Sequence, residues 1–364
     1  MTSGSDTEKT LSVTVVGAGV MGTALAVHLA GHTTQKNSVR LCGTEWDDQM
    51  IERLQADCRC PRLEAALPAG LKLYRWSERE QAAAGADVII LAVTSQGLSQ
   101  MTAEWSRYAA AGTIMASITK GIDSETLTTM AELMERTLER EGRSDIPVVK
   151  LAGPLRANEL AHGHPAEAVF ASRSAEAAGL LRHHFLSPQF RCELSADVAG
   201  TDLCASLKNA YAIAFGMADS LYPGVDNPKA ALFGRIAAEM QRFVAAYGGD
   251  PATIAGNAGI GDLYVTVQGG RNRTLGALLG SGHALAEALE RMQGQTVEGL
   301  AAAREAWPLA KRLEAQGKLV IERDLPLFAR LQEILSGEKT ASQALADYWA
   351  MSGAGEHVLA SKTG

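Results

Sequence analysis

Lys208 is the first residue of this 364-residue chain that asks for a chemical explanation. Between Asp202 and Asp219 the sequence reads LCASLKNAYAIAFGMA, and Lys208 is its only charged residue. A helix that is apolar on nearly every face is buried, and a buried lysine needs a partner or a task. Asn209 stands beside it. Two readings are open. The side chain can run along its own stem to the surface, or it can sit at a cleft between two domains as a proton donor or electrostatic catalyst.

A second stretch, GIGDLYVTVQGGRNRTLGALLGSG at 259–282, carries the types that would serve such a lysine. Gly259 and Gly261 frame Asp262, whose carboxylate could hold an ammonium charged and oriented. Gly269 and Gly270 precede Arg271, Asn272 and Arg273, and a helical pattern follows from Thr274. Arginine supplies a planar fork of donors, and a helix N-terminus adds backbone N–H groups, so the segment suits a phosphate-like anion. The plainer alternative is a surface loop with a solvated arginine pair.

A third feature is the run Gly17-Ala18-Gly19-Val20-Met21-Gly22, which follows the strand VTVV and opens a helix. Gly17 permits a tight turn, Gly19 lets the backbone approach a pyrophosphate, and Gly22 lets the helix pack close to the strand. The N–H groups of Val20, Met21 and Gly22 would then meet the phosphates. A carboxylate about 20 residues further on reads the adenine ribose in such folds. Glu45 stands there and would repel a 2′-phosphate, which favours NAD; Thr44 could take its place, and Arg40 lies nearby.

These residues must be positioned by elements the pattern already suggests. Val13–Val16, Ser38–Cys42, Asp87–Val93, Thr113–Ile118, Val148–Ala152, Ala168–Ser172 and Phe190–Leu194 read as strands separated by helices. That alternation indicates a parallel sheet covered on both faces. From Asp197 the pattern turns helical, with long helices over Asp197–Leu221 and Asn227–Tyr247. The expected organisation is a tail at 1–11, an α/β cofactor-binding domain at 12–196, an all-α domain at 197–352 for substrate and dimer contacts, and a mobile tail at 353–364.

Composition narrows the function classes. Lys and Arg total 34 against 41 Asp and Glu, a net charge of −7, so no basic surplus is available for a nucleic acid. No apolar run approaches the roughly 20 residues of a membrane span, and the polar start lacks a signal-peptide pattern. Cys42, Cys58, Cys60, Cys192 and Cys204 form no C-x-x-C pair. Their odd number suits free thiols in a reducing cytoplasm, and the paired histidines at 162/164 and 183/184 lack a third ligand, so no metal is expected.

With these motifs in hand the chain resembles the NAD-dependent glycerol-3-phosphate dehydrogenases. The matching segments are GAGVMGTALA at 17–26, ITKGID at 118–123, LKNAYAIAFG at 207–216, DNPKAA at 226–231, GIGDLYVTVQGGRNR at 259–273 and VEG at 297–299. The resemblance implies a Rossmann-type domain followed by an all-α C-terminal domain, commonly in a cytoplasmic homodimer. It implies hydride exchange between NADH and dihydroxyacetone phosphate. Lys208 would be the catalytic acid/base, with Lys120 and Asp262 completing the polar cluster and Lys120 and Asn209 also facing substrate. Thr266, Arg271 and Asn272 match the positions that hold the substrate phosphate, and Arg271 would also lie near the cofactor. Three segments depart from the family pattern: Gly153-Pro154-Leu155-Arg156-Ala157, Phe233-Gly234-Arg235-Ile236 and Val93-Thr94-Ser95. Arg156 is thereby a rival anion ligand. A paralogous dehydrogenase of another phosphorylated or phosphonylated ketone is the alternative activity, and a dinucleotide-binding regulator without turnover is the alternative class.

Overall fold

The computed structural model describes residues 10–352. The rest of the two predicted tails, at 1–9 and 353–364, lies outside the described residues. Thr10 is exposed, and the first strand already begins at Leu11. The chain divides into two compact units. One holds the described residues up to Ser206 together with Tyr247–Tyr264; the other holds Leu207–Ala246 and the described residues from Val265 onward.

The first unit alternates strands and helices in the order β1 (Leu11–Val16), α1 (Val20–Gly31), β2 (Asn37–Cys42), α2 (Asp48–Asp57), β3 (Arg59–Cys60), β4 (Ala65–Ala66), β5 (Lys72–Tyr74), α3 (Arg79–Ala83), β6 (Val88–Leu91), α4 (Ser95–Ser106), β7 (Ile114–Ser117), α5 (Met130–Arg140), β8 (Val148–Ala152), α6 (Ala157–Ala161), β9 (Ala166–Ala171), α7 (Ala175–Phe185) and β10 (Phe190–Ser195). Eight strands form one sheet, ordered β10-β9-β8-β7-β6-β1-β2-β5. Every residue of β6 and β7 is buried, as central strands covered on both faces must be. Successive side chains feed opposite cores. Val13, Val15 and Ile90 join Leu25, Leu29 and Phe170 on one face. Ile89 and Leu91 join Leu98, Trp105 and Met134 on the other.

The sheet departs from the sequence expectation at one pairing. β9 runs antiparallel to β8, while the other pairings of the sheet are parallel. The connection explains it. α6 has five residues, and at about 1.5 Å per residue it is too short to carry the chain back along a strand. β5 and the β3–β4 hairpin were not anticipated, because two or three residues leave no periodic signal.

Helix α8 (Val198–Leu221) runs from the first unit into the second. There follow α9 (Asn227–Tyr247), α10 (Asp262–Val267), α11 (Arg271–Gly280), α12 (Leu285–Arg291), α13 (Glu298–Ala315), α14 (Ile321–Asp324), α15 (Pro326–Leu335) and α16 (Ala341–Ser352). Among the described residues no strand follows Ser195. In the second unit the buried Glu239 carboxylate of α9 accepts the Tyr211 hydroxyl of α8 at 2.8 Å and the N–H groups of Leu327 and Phe328 at 2.6 and 3.0 Å. It thus caps the first turn of α15 from another helix. Burial pushes this carboxyl up to about 7.

His28 marks the opposite case in the first unit. It sits on α1, 1% exposed, with its ring 4.4 Å from Phe190 and Nε2 2.9 Å from the Phe185 carbonyl. Donation to that carbonyl favours the charged ring, but burial outweighs it and keeps the ring neutral. Burial lowers its pKa from 6.5 to about 4. A folded-state pKa below the unfolded value stabilises the fold above pH 6.5, and the contribution is lost as pH falls through about 4. Its upper bound is about 3 kcal/mol. His28→Gln keeps a donor and removes the titration. Stability followed by denaturation from pH 7 to 4 should therefore fall less steeply in the variant, and parallel curves would remove His28 from the acid sensitivity.

Candidate active site

The glycine loop between β1 and α1 has the geometry that its sequence suggests. Gly17 adopts φ +102°, and a Cβ there would lie 2.6 Å from the Ala92 carbonyl. A Cβ at Gly22 would collide with the Gly17 carbonyl, whereas one at Gly19 would meet nothing within 4 Å. Gly19 is the N-cap of α1, no side chain caps the helix, and its first turn holds no acidic residue. The N–H groups of Val20, Met21 and Gly22 therefore lie at an uncapped positive helix end, the kind of end that suits an anion. Glu45 and Trp46 are exposed just beyond β2. Asp47, which the sequence did not single out, ties that turn to the glycine loop: its Oδ2 accepts Ala18 N at 3.1 Å, Thr44 N at 2.9 Å and the Thr44 hydroxyl at 2.8 Å.

Still within the first unit, Lys120 follows β7 and its ammonium lies 3.9 Å from Asp262 Oδ2. Asp262 is 2% exposed and Lys120 about a quarter exposed. Within the first unit, therefore, the Asp262 carboxylate has Lys120 beside it. Beneath them lies a pair that the sequence reading missed. Lys150 on β8 and Asp202 on α8 are both fully buried, with Nζ 2.7 Å from Oδ1. The signal was present, since VVKLA places one charge inside an apolar strand as LCASLKNAYAIAFG does inside a helix.

The second unit holds Lys208, Asn209, Thr266, Arg271 and Asn272. Lys208 is 3% and Asn209 6% exposed on α8. The Asn272 amide donates to Asn209 Oδ1 at 3.0 Å, and its own oxygen accepts Gly299 N at 2.8 Å. Gly299 is the second residue of α13, so the N-terminus of that helix dictates which way the Asn272 amide faces. A Cβ at position 299 would strike the Asn209 carbonyl and lie 2.9 Å from Asn272 Oδ1. Only glycine lets α13 come this close. Arg271 is exposed, opens α11 behind Gly270 at φ +91°, and stands 3.7 Å from Glu298. As in α1, no side chain caps this helix and no acid sits in its first turn. Thr266 lies half-buried on α10.

Two further arginines also have acidic partners. Arg273 grips Asp219 with two bonds of 2.5 and 2.9 Å and also donates to the carbonyls of Val267 and Gln268. It braces α11 and the preceding loop against α8. Arg156, the rival anion ligand, is half-exposed at the start of α6 and lies 3.4 Å from Glu159. Among the described residues no three His, Cys, Asp or Glu side chains gather as a metal site requires.

Comparison with known proteins finds two family models along the chain. Residues 12–178 match the family model described as the NAD-dependent glycerol-3-phosphate dehydrogenase N-terminus. Residues 197–346 match the corresponding C-terminus model. A glycerol-3-phosphate dehydrogenase [NAD(P)+] of Geobacter metallireducens is 34% identical over 337 residues, covering 91% of this chain and 94% of the relative. A protein of the same name from Bacillus pumilus is also 34% identical, with 92% of each chain covered. The crystal structure of glycerol-3-phosphate dehydrogenase from Coxiella burnetii is similar at a TM-score of 0.79 and 29% identity, covering 93% of this chain and 99% of that one.

Proposed function

The chain belongs to the NAD-dependent glycerol-3-phosphate dehydrogenase family, and on that premise we propose that it interconverts dihydroxyacetone phosphate and sn-glycerol 3-phosphate, with Lys208 as acid/base. The single observation that carries the residue assignment is a buried lysine on α8 whose neighbour Asn209 is locked by Asn272, itself locked by the N-terminus of α13.

The residues fit the cofactor. The uncapped start of α1 and the open face of Gly19 suit a pyrophosphate, and Glu45 suits the two free hydroxyls of the adenine ribose. NAD, when bound, supplies the hydride acceptor or donor. The chain's own part is proton handling and orientation. In ketone reduction the carbonyl carbon gains the hydride, and the oxygen gains its proton from the Lys208 ammonium. Lys120, with Asp262 beside it, adds positive charge where the alkoxide develops. Arg271, Asn272, Thr266 and the first N–H groups of α11 take the phosphate, with Arg271 exchanging Glu298 for the dianion. A cytoplasmic homodimer completes this reading. Five free cysteines are consistent with a reducing compartment, and sedimentation of the purified chain decides the dimer.

General acid catalysis is typically worth about 10²–10⁴-fold. Lys208→Ala should lower kcat by that order and leave NADH affinity almost intact, as steady-state rates and a binding titration will read; a near-normal kcat removes Lys208 from the mechanism. Truncating one partner of a desolvated charge pair costs roughly 2–5 kcal/mol. Arg271→Ala should therefore depress kcat/KM about 30-fold or more for the phosphorylated ketone and far less for an unphosphorylated one. Equal losses would assign Arg271 to the cofactor or the fold. The carboxylate at Glu45 further favours NADH over NADPH, and equal kcat/KM with the two would contradict it.

A further inference from the structure

Lys150 occupies the middle of β8, in a strand whose five residues are all buried. An apolar side chain would be the ordinary occupant. Replacing a buried ion pair by well-packed apolar residues is often neutral or stabilising by about 1–4 kcal/mol. Stability therefore gives no reason for a lysine here, while its contacts do. Its ammonium donates to the Thr119 carbonyl as well as pairing with Asp202. The other Asp202 oxygen accepts Ala131 N at 2.7 Å, in the first turn of α5.

Those bonds surround one residue. Thr119 is held through its N–H to Ser117 Oγ at 3.0 Å, its hydroxyl to the Val93 carbonyl at 2.8 Å and its carbonyl to Lys150. Gly121 is held on the other side. Its N–H donates to Ser206 Oγ at 2.9 Å, and the Ser206 hydroxyl lies 3.0 Å from the Gly121 carbonyl. Ser206 is one helical turn after Asp202 on α8, and its hydroxyl is 3.1 Å from the Asp202 carbonyl. The backbone on both sides of Lys120 is thus clamped by one buried network, and its side chain is delivered toward Asp262.

We propose that Lys150 is a positioning residue for the reaction: paired with Asp202, it fixes the 119–121 segment so that Lys120 meets Asp262. The inference rests on the dehydrogenase reading, in which Lys120 and Asp262 belong to the polar cluster around the substrate. Among the charged groups that act on the Lys150 ammonium, Asp202 and Asp262 attract it and Lys120 repels it. Burial lowers the Lys150 pKa, and Asp202 is the principal force opposing that.

Two variants test this. Lys150→Met alone leaves Asp202 buried and unpaired, so its thermal midpoint should fall. Lys150→Met/Asp202→Asn removes both charges, keeps an oxygen for Ala131 N–H, and should recover most of that loss. A small misplacement of a reacting group can cost about 10²-fold. In the double variant kcat with dihydroxyacetone phosphate, normalised to NADH-binding sites, should fall about 10- to 100-fold while NADH affinity is unchanged. A double variant with wild-type kcat overturns the proposal, as does a loss that tracks the unfolded fraction alone. Crystallography of the double variant separates this from the choice of substrate. The Lys120 ammonium should leave Asp262, and an unchanged Lys120–Asp262 pair overturns the proposal whatever the wild-type protein turns over. Wild-type protein that binds NADH without reducing the ketone counts against the dehydrogenase reading instead.

Discussion

A charge taken out of water has to be matched by other charges or hydrogen bonds, and helix α8 is built under that constraint. It is buried along most of its length and carries Asp202 and Lys208 on that buried stretch. Asp202 is matched by Lys150 from the sheet and by the first turn of α5. Further along, Tyr211 is matched by Glu239, which in turn caps α15. Much of the fold can be described as the elements needed to satisfy one helix: β8 and α5 in the first unit, α9, α11, α13 and α15 in the second. A helix satisfied in this way has one register and one rotation. Lys208 and Asn209 are then held in place without needing strain.

The same physics is used in reverse at two other helices. α1 and α11 both begin behind glycine, with no side-chain cap and no acid in the first turn. Their free N–H groups are a cost in an isolated chain, since capping is worth about 1 kcal/mol. They become an asset when an anion arrives. One end suits the dinucleotide pyrophosphate and the other a substrate phosphate. α15 differs from both, since the buried Glu239 accepts two N–H groups of its first turn.

Much of this was legible in the sequence, for identifiable reasons. The glycine loop could be read because its glycines have separate steric jobs, and those of Gly17 and Gly22 appear in the structure. The central strands could be read because burial on both faces leaves an uninterrupted apolar run. Lys208 stood out because one charge in an apolar helix is conspicuous. Lys150 was equally conspicuous within VVKLA, but its burial depends on β8 being an interior strand, which only the sheet order reveals. The antiparallel β9 was hidden because direction follows from the length of α6 and not from any residue in the strand. Asp47 was missed because a lone acid near a turn has no pattern. Arg273 sits one residue past Asn272 in the same motif, yet the structure commits it to Asp219. Neighbouring positions on a helix face different directions, and a linear motif conceals this.

The family to which the chain belongs interconverts dihydroxyacetone phosphate and glycerol 3-phosphate by hydride transfer, and Lys208 is the residue proposed to donate the proton. The most direct measurement is to mix the full-length protein with NADH and dihydroxyacetone phosphate, follow the loss of NADH absorbance and identify the product. NADH consumed one-for-one with glycerol 3-phosphate formed is the predicted result. NADH that binds but is not oxidised, with the ketone recovered unchanged, would contradict it and leave a dinucleotide-binding protein without this chemistry.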